Sequence, residues 1–508
     1  MFLGDPSSLF KSVEFCLLFE RRFFDPTHKS KQEISYYHNT LHTDAQMASA
    51  ASGVAPPRTL NCGLVGAGVV GGGVMQILAA RNSSVFKGQL GVDLVIKKIA
   101  VRDVAKARSF ELPAGTSVVG DVQEILGDAE IDCVVEVMGG VGLAKTVVLG
   151  AIAADKHVVT ANKALVASCL GEIEAALAAH PSVKFCYEAA VCGGIPIINA
   201  LQSAYLGDRI TSVTGIMNGT TNYMLTKMES EGAAYGEVLA EAQALGFAEA
   251  DPTADVEGHD VQAKIALLAK LAFGRSVSVE SVGGSGCECP CAGISSVDSV
   301  DFAFAKALGA TIKLLGTAKL SSGSSDGSEG SSSSSSSGSR SLAVYVSPTV
   351  VPLSHPVARA PGATNVVHVS SDNLASSTLV GPGAGALPTA NSVVADLLRV
   401  GSGTALAPFP TSDPSLPIDS DFASKFYVRV GVKADDKSVV ASIGASAQAA
   451  SCSVASLLPS PGEGREGAEV KQVAITTGVC LRSQIDDMCK LVAAQPFAVG
   501  TPVVMTLL

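Results

Sequence analysis

From Thr59 to about Glu188 the chain alternates short runs of β-branched residues with stretches of helical periodicity. The strand-like runs are LNCGLVG, VDLVIKKIAV, CVVEVMGG, HVVTAN and VKFCYEAA. Strands separated by helices pair in parallel, because each crossover helix returns the chain to the end of the sheet where the preceding strand began. The alternation therefore predicts an α/β domain with a doubly wound parallel sheet over residues 58–190.

A glycine-rich turn follows the first of these strands and leads into the helical stretch VMQILAA. The turn, GLVGAGVVGGG, fits the pattern GxGxxG, whose glycines let backbone amides approach a pyrophosphate at a helix N-terminus. A purely structural glycine turn is the alternative, but the strand–turn–helix context favours a dinucleotide site in a Rossmann domain. The predicted cofactor-binding residues of the turn are Gly66, Ala67, Gly68, Val69, Val70 and Gly71.

Arg102 and Asp103 follow the second strand, where Rossmann domains contact the adenosine ribose. An acid at this place favours the free 2′-hydroxyl of NAD, whereas an arginine can pair with the 2′-phosphate of NADP. Arg102, with Lys106 behind it, predicts a preference for NADP(H), and Asp103 keeps NAD(H) open as a second cofactor.

The segment GFAEADPTADVEGHDVQAK, from Gly246 to Lys264, concentrates carboxylates and one amine. Asp251-Pro252 and Asp255 are predicted to be turn and cap residues, with a helix beginning near Val256. Asp260 and Lys264 would then lie four apart on one helical face. Such a pair is often a solvated surface ion pair, but the apolar run IALLAKLAF after Lys264 favours a buried helix.

Two further candidate residues lie at strand ends. Lys163, in VTANKALVA, follows the carboxyl end of a strand, where open α/β sheets bind ligands; a surface residue at a helix start is the alternative. Asn162 is predicted to cap the helix that follows. Glu188, in YEAAVCGGIPII, could hold a hard cation through oxygen ligands, or could cap a buried glycine turn.

The remaining sequence predicts further domains. A Ser/Gly tract at residues 321–341 lies between two strand-like runs and is predicted to be a disordered insertion in a hairpin. The predicted order is a disordered leader or targeting segment (1–57), the dinucleotide-binding domain (58–190), an α+β substrate-binding domain (191–400), a linker (401–423) and a C-terminal βαββαβ unit (424–508). Because acids offset the basic residues of the leader, the compartment stays open between plastid and cytoplasm.

Charge and composition exclude several functions. A net charge of −11 argues against nucleic acid as the main partner, since phosphate binding needs a basic surface. No apolar run is long enough to span a membrane, so a soluble protein is expected. Of the twelve cysteines, Cys287, Cys289 and Cys291 form a tight cluster, which is predicted to be an ordinary loop insertion rather than a metal site.

Taken in order, these motifs resemble those of the homoserine dehydrogenase family. ALGFAEADPTADVEGHDVQAK looks like the family's signature; GLVGAGVVGGG, VTANKALVA, EAAVCGGIPI, NGTTNYMLTKM and GPGAGALPTANSVVADL resemble its other blocks from Thr59 to Val400. The C-terminal unit resembles an ACT domain, although ADDKSVVASIG lacks the usual glycine before its first helix. The Ser/Gly insertion and the cysteine cluster also depart from the family pattern.

The resemblance implies a reversible reduction of L-aspartate 4-semialdehyde to L-homoserine by NAD(P)H, a step of threonine, methionine and isoleucine biosynthesis. It implies that Lys264 protonates the aldehyde oxygen, that Lys163 is a second catalytic lysine beside the nicotinamide, and that Glu249 and Asp260 hold the substrate. It further implies Gly246 and Gly385 beside the cofactor, a homodimer, and a sodium ion held by Glu188, Val191, Gly193 and Ile195.

Two other hypotheses fit parts of the sequence. One is a related Rossmann reductase that acts on another small aldehyde. The other is a non-catalytic amino-acid sensor in which the C-terminal unit binds the effector, although the intact set of Glu249, Asp260 and Lys264 argues against it.

Overall fold

The computed structural model describes residues 56–283, 292–321, 340–433, 436–459 and 469–508. The leader predicted for residues 1–57 lies almost entirely outside these ranges, as do Cys287, Cys289, Cys291 and most of the Ser/Gly tract. Within the described ranges, no helix combines the length and the apolar character needed to cross a membrane.

The first sheet is built from strands β1 to β6, which are Arg58–Val65, Val92–Ala100, Ser117–Val119, Cys133–Glu136, His157–Thr160 and Phe185–Cys186. All of its pairings are parallel, and the strand order is β3-β2-β1-β4-β5-β6. This is the order of a Rossmann dinucleotide-binding domain, in which ligands bind at the carboxyl ends of the strands where the order reverses. The predicted doubly wound parallel sheet is confirmed, and the reversal lies between β1 and β4.

Helices α1 to α6 accompany this sheet, at Val69–Arg81, Gly88–Leu90, Gln123–Leu126, Gly142–Ala153, Lys163–Ser168 and Leu170–Ala179. A π-helical turn at Asn82–Lys87 and a 3-10 turn at Glu188–Ala190 complete this half. Every residue of β4 is buried, as expected for a central parallel strand covered on both faces.

The second sheet has eleven strands. They are β7 Ile210–Ile216, β8 Ala310–Ser321, β9 Ser341–Pro352, β10 Thr364–Ser371, β11 Ala375–Pro382, β12 Ile418–Asp419, β13 Ala423–Lys433, β14 Val454–Pro459, β15 Val470–Thr477, β16 Cys480–Leu481 and β17 Ala498–Leu507. The main order is β11-β10-β7-β8-β9-β17-β13-β15-β14, with β12 beside β9 and β16 beside β13. Strands β8 and β9 pair antiparallel up to Ser321 and Ser341, so the Ser/Gly tract joins the two arms of a hairpin, as predicted.

Helices α7 to α15 follow along the chain. They are Ile197–Asn199, Gly219–Glu231, Tyr235–Ala244, Thr253–Val256, His259–Phe273, Ser299–Ala307, Ala386–Ser402, Val439–Ala449 and Arg482–Ala493. Most accompany the second sheet, whereas α13 packs against α1 and β2 of the first half. Irregular turns lie at Ala200–Ala204 (π-helical) and at Val279–Ser281 and Pro356–Arg359 (3-10).

The helix that carries Asp260 and Lys264 begins later than predicted. A helix start near Val256 is wrong, because α10 ends at Val256 and α11 starts at His259. Gly258 between them has φ +81°, a left-handed conformation that interrupts a right-handed helix and that glycine adopts without strain. Most of α11 is buried, so its Asp260–Lys264 pair is not a solvated surface pair.

The C-terminal unit has the predicted order of elements, β13-α14-β14-β15-α15-β17, with the short strand β16 added. Its sheet is not separate from the preceding one, because β17 pairs in parallel with β9. A buried polar contact adds to this junction. Asp301, which is fully buried in the first turn of α12, accepts hydrogen bonds from Tyr427 Oη and Arg429 Nε of β13, both at 2.7 Å.

We predict that Arg429→Ala destabilises the fold by about 3 kcal/mol, because it leaves the Asp301 carboxylate buried without its cation. The measurement is urea unfolding of the full chain, monitored by far-UV circular dichroism because the chain contains no Trp for fluorescence. The matched control is Arg209→Ala, since the Arg209–Asp372 pair has the same 2.7 Å separation but is exposed on both sides. Equal shifts of the unfolding midpoint in the two variants would contradict the stabilising role of the buried pair.

Candidate active site

Two lysines from different parts of the fold bind the two carboxylate oxygens of one buried aspartate. Lys264 Nζ lies 2.8 Å from Oδ2 of Asp260, and Lys163 Nζ lies 2.8 Å from Oδ1. The Asp260 side chain is only 9% exposed. Because Lys163 comes from the Rossmann half and Asp260 from α11, this ion pair joins the two halves at the carboxyl edge of the first sheet.

Local capping explains the position of Lys163. Asn162 follows β5, and its side-chain oxygen accepts a hydrogen bond from the backbone N–H of Leu165 at 3.1 Å. This N-cap, which the sequence predicted, makes Lys163 the first residue of α5. The Lys163 side chain is 40% exposed, so it can reach both Asp260 and the solvent-facing side of the site.

Lys264 is buried, and its ammonium donates to two oxygens. One is Oδ2 of Asp260, and the other is the carbonyl oxygen of Met217 at 2.5 Å. Burial disfavours the charged amine, but the adjacent Asp260 carboxylate outweighs this effect and raises the Lys264 pKa. Burial likewise opposes the charge of Asp260, yet Lys264 and Lys163 together lower the Asp260 pKa. Lys264 therefore holds a proton at neutral pH, next to an ionised carboxylate.

Asn218 and Asp255 also belong to this cluster. Asn218 Nδ2 donates to Asp255 Oδ1 at 2.7 Å and to Asp260 Oδ2 at 3.0 Å. The cap role predicted for Asp255 is wrong, since Asp255 lies within α10 and points its carboxylate at Asn218. Burial raises the Asp255 pKa, and the Asn218 hydrogen bond opposes that rise. The sequence signal for Asn218 was its place in NGTT just after β7, at the end of a strand.

Glu249 and Gly246 lie on the turn between α9 and α10, both exposed. Gly246 has φ +76°, which suits the left-handed residue that ends α9. Among the described residues, no side chain of the lysine–carboxylate cluster contacts the Glu249 carboxylate. Asp251 has its predicted turn role, because its carboxylate accepts from the backbone N–H of Thr253 at 3.1 Å.

The glycine turn after β1 has the geometry that a dinucleotide needs. Gly66 has φ +104°, and a Cβ there would lie 2.9 Å from the carbonyl oxygen of Val137. A Cβ at Gly71 would overlap the carbonyl oxygen of Gly66, so this glycine permits close packing of the helix on the turn. Gly68, in contrast, faces open space, which leaves room for a pyrophosphate beside the N-terminus of α1.

A cleft of about 960 Å³ lies beside this turn and is lined by Ala67, Gly68, Val69, Gly72, Gly73, Met75, Gln76, Ala79, Ala80, Lys106, Ala107, Arg108, Ser109, Phe110, Glu111 and Ala386. The cations on its wall are Lys106 and Arg108, whereas the exposed Arg102 lies just before that segment. Asp103 accepts the backbone N–H groups of Ala105 and Lys106, so its carboxylate shapes the loop. Gly385 precedes α13, whose first residue, Ala386, packs against Gly73 of α1.

Glu188 is buried at the start of the turn that precedes α7. Its carboxylate accepts the backbone N–H groups of Ile198 at 2.9 Å and Asn199 at 2.8 Å, and it lies 3.7 Å from Arg399 Nη1. The capping role is thus observed. Asp396 lies beside it and accepts from the Glu188 N–H at 2.9 Å; burial and the Glu188 charge raise the Asp396 pKa to about 7.

This turn offers two kinds of oxygen group, its backbone carbonyls and the Glu188 carboxylate. The described residues contain no cluster of three or more His, Cys, Asp or Glu side chains arranged around a metal ion. The Gly193 carbonyl accepts from Ser392 Oγ at 2.7 Å, and each Glu188 carboxylate oxygen accepts one backbone N–H, so all three oxygens keep a lone pair.

Three segments pack tightly next to the lysine–carboxylate cluster. They are the Cys192–Gly193 turn, Asn365 of β10, and residues 381–385, here called the glycine-rich loop. A Cβ at Gly193 would lie 2.6 Å from the carbonyl oxygen of Gly383, and a Cβ at Gly383 would overlap the side-chain amide of Asn365. Asn365 is fully buried, and Gly193 has φ +32°. Burial raises the pKa of Cys192, the neighbour of Gly193, and the nearby Lys264 charge opposes this rise, so Cys192 lies close to the cluster.

Comparison with known proteins gives a consistent result. The family model "Homoserine dehydrogenase" matches residues 196–398, and "Homoserine dehydrogenase, NAD binding domain" matches residues 66–188. A homoserine dehydrogenase of Synechocystis is 42% identical over 383 residues, 73% of this chain and 82% of that protein. One from Bacillus subtilis is 38% identical over 382 residues, 74% of this chain and 82% of that protein. The crystal structure of a homoserine dehydrogenase from Thiobacillus denitrificans superposes with a TM-score of 0.76 at 33% identity, covering 89% of this chain and 98% of that one.

We predict that Gly383→Ala lowers turnover strongly, because the added methyl group displaces Asn365 or moves the glycine-rich loop away from the Cys192–Gly193 turn. The measurement is steady-state turnover together with thermal stability. The matched control is Gly171→Ala in α6, where a Cβ meets no atom within 4 Å and a helix gains from alanine. Full activity of the Gly383 variant would show that this tight packing does not shape the site.

Proposed function

The chain belongs to the homoserine dehydrogenase family, and we propose that in its reaction Lys264 is the proton donor, held in place by Asp260. That reaction is the reversible reduction of L-aspartate 4-semialdehyde to L-homoserine, and the enzyme is an NAD(P)-dependent oxidoreductase. The observation that carries the proposal is the buried, protonated Lys264 ammonium between Asp260 and the Met217 carbonyl.

Hydrogen-bond counting supports this role. An ammonium has three N–H donors, and among the described residues Lys264 uses one on Met217 O and one on Asp260 Oδ2. The third is available to an oxygen of the substrate. Its direction is fixed by the other two, so the donor needs little reorganisation when the substrate binds.

The nicotinamide cofactor supplies the hydride when it is bound. Negative charge then develops on the carbonyl oxygen of the aldehyde, and the Lys264 ammonium stabilises that charge and transfers its proton to the oxygen. Asp260 keeps the resulting amine oriented, and it favours the return of a proton from solvent because it raises the Lys264 pKa. In the reverse direction the neutral amine would accept the hydroxyl proton of homoserine.

Lys163, Asp260 and Glu249 are proposed to bind the substrate. Lys163 lies at the Rossmann side of the cluster, where its partly exposed ammonium is available both to the substrate and to the nicotinamide end of the cofactor. Asp260 and Glu249 supply negative charge for the substrate ammonium. The exposed turn that bears Glu249 directly precedes α10, whose Asp255 belongs to the cluster.

We propose NADP(H) as the preferred cofactor, bound by the Gly66–Gly71 turn, with Gly246 and Gly385 nearby. Three cations of the segment after β2, Arg102, Lys106 and Arg108, support a site for a 2′-phosphate. Asp103 uses one carboxylate oxygen, Oδ1, to accept two backbone N–H groups of the loop, and its remaining oxygen keeps NAD(H) possible as a second cofactor. Gly385 immediately precedes α13, and the first residue of α13 packs against Gly73 of α1. Gly385 therefore lies close to the helix that follows the glycine turn.

We propose a sodium ion at the turn of Glu188, Val191, Gly193 and Ile195, held chiefly by backbone carbonyls. The charge balance supports a small cation, because two buried carboxylates, Glu188 and Asp396, share one cation, Arg399. The second carboxylate needs either a proton or a monovalent ion. A cavity of about 10 Å³, the size of one water molecule, lies beside Glu188, Asp396 and Arg399, but Val191, Gly193 and Ile195 do not line it.

We also propose a homodimer. Strand β11 is an edge strand of the second sheet, and Val380 on it is 62% exposed. Leu374 precedes it at 52%, and Leu206 nearby in the fold's second half is 76% exposed. An unpaired edge with exposed apolar residues is typical of a surface that another chain covers.

We predict that Lys264→Met lowers kcat roughly 100-fold to 10,000-fold, because it removes the proton donor while keeping a side chain of similar length. NADPH affinity should change little, since Lys264 contacts Asp260 and Met217 rather than the glycine turn. The measurements are NADPH oxidation with L-aspartate 4-semialdehyde and NADPH binding by fluorescence. The matched control is Lys227→Met on α8, whose ammonium pairs with Glu241 away from the cluster and whose loss should leave kcat unchanged. A comparable loss of NADPH affinity in Lys264→Met would assign Lys264 a structural role instead.

We predict that Arg102→Ala raises the KM for NADPH more than the KM for NADH, because only NADPH carries the 2′-phosphate. Arg108→Ala should act in the same direction, since Arg108 lines the cleft. Lys87→Ala serves as the control, because Lys87 is a basic residue of the same domain that pairs with Asp93. An unchanged ratio of the two KM values in both arginine variants would refute the preference.

A further inference from the structure

Asn218 has both ends of its side-chain amide engaged, in two different tasks. Its oxygen accepts the backbone N–H of Thr221 at 2.8 Å and so caps the N-terminus of α8. Its Nδ2 donates to Asp255 Oδ1 at 2.7 Å and to Asp260 Oδ2 at 3.0 Å. Because the cap fixes which end is oxygen, the nitrogen must face the two carboxylates.

We propose that Asn218 is a positioning residue of the reaction: its two N–H groups hold the Asp255 and Asp260 carboxylates in place, and through Asp260 they orient the Lys264 ammonium. This inference rests on the proposed role of Lys264. Asn218 itself is 5% exposed and acts through the carboxylates, not through contact with the substrate.

Asn218 can affect the orientation of Lys264, because the two side chains donate to the same carboxylate oxygen. Oδ2 of Asp260 accepts from both Asn218 Nδ2 and Lys264 Nζ, while Oδ1 pairs with Lys163. Without the Asn218 donor, the part of the chain that the structure describes holds the carboxylate only through two lysines on flexible side chains, and it can rotate between them. Rotation of Asp260 would turn the Lys264 ammonium, because Asp260 is one of its two anchors.

The second target, Asp255, is sensitive to the same donor. It is partly buried, and the charged groups that face it are Asp260 and Lys264 of α11 and Lys163 of α5. Burial raises its pKa and the Asp260 charge adds to the rise, whereas the Asn218 hydrogen bond and the two lysines oppose it. Loss of Asn218 should therefore raise the Asp255 pKa further, so that Asp255 takes up a proton at a higher pH.

Two substitutions separate positioning from capping. Asn218→Asp keeps an oxygen for the Thr221 N–H but replaces both donors by a third negative charge. Asn218→Ser also keeps a capping oxygen, but its single short hydroxyl cannot donate to both carboxylates. If Asn218 were only a cap, both variants would behave as the wild type.

The experiment measures kcat, KM for L-aspartate 4-semialdehyde and the pH profile of kcat/KM, with NADPH, on the full chain. We expect kcat of both variants to fall roughly tenfold to hundredfold, the scale of a lost hydrogen bond to a charged group. In Asn218→Ser the acidic limb of kcat/KM should move to higher pH, in the same direction as the Asp255 pKa. NADPH affinity should stay close to that of the wild type. Tm should fall modestly in Asn218→Ser, which keeps the cap but loses a donor, and further in Asn218→Asp, which adds a third buried negative charge.

The matched control is Asn82→Ser, which removes another Asn–Asp hydrogen bond, from Asn82 Nδ2 to Asp93 Oδ1 at 3.0 Å, outside the cluster. It should leave the pH profile unchanged. The proposal is overturned if both Asn218 variants keep the wild-type kcat and profile, or if activity falls only in proportion to the folded, NADPH-binding fraction with the profile unmoved. If the wild-type protein showed no activity in the same assay, that result would instead refute the proposed function.

Discussion

A single buried carboxylate between two ammonium groups holds the site together. Asp260 is 9% exposed, and an unpaired charge at that depth would be strongly unfavourable, so the fold must bring cations to it. One cation comes from its own helix, and the other, Lys163, comes from the Rossmann half of the chain. The buried Asp260 carboxylate is therefore stabilised by both lysines, and it holds the Lys163 ammonium close to that of Lys264. The same charge raises the Lys264 pKa and keeps a proton where the reaction requires one.

Close backbone packing positions the cofactor turn and the loops around the lysine–carboxylate cluster. Gly66 and Gly71 let α1 begin immediately after β1, which leaves the space beside Gly68 open for a dinucleotide. Gly73 allows α13 to approach α1, and α13 begins at the loop that also packs against Gly193. Close backbone contacts thus join α1 to α13, and the loop before α13 to the turn after Glu188. This arrangement explains why the motif blocks of the sequence are rich in glycine although they are far apart along the chain.

The fold and the local contacts could be predicted from the sequence, whereas the long-range contacts could not. The parallel sheet, the β8–β9 hairpin and the Asn162 cap depend on periodicity and on neighbouring residues, and all three are observed. The i,i+4 pairing of Asp260 and Lys264 depends only on helix geometry. Lys163 and Asn218 reach Asp260 from outside that helix, and no local pattern indicates this convergence. The late start of α11 was missed because a glycine at φ +81° has no signature apart from the glycine itself.

The most direct test of this arrangement is a crystal structure of the full chain with NADP⁺ and L-homoserine bound. The Lys264 ammonium should lie within about 3 Å of the homoserine hydroxyl oxygen, with its contacts to Asp260 and the Met217 carbonyl retained. That oxygen and the Lys264 nitrogen should face the nicotinamide ring across the cleft beside Gly66–Gly71. A structure in which the hydroxyl binds another side chain, and the Lys264 ammonium lies beyond hydrogen-bonding distance, would contradict the role assigned to Lys264.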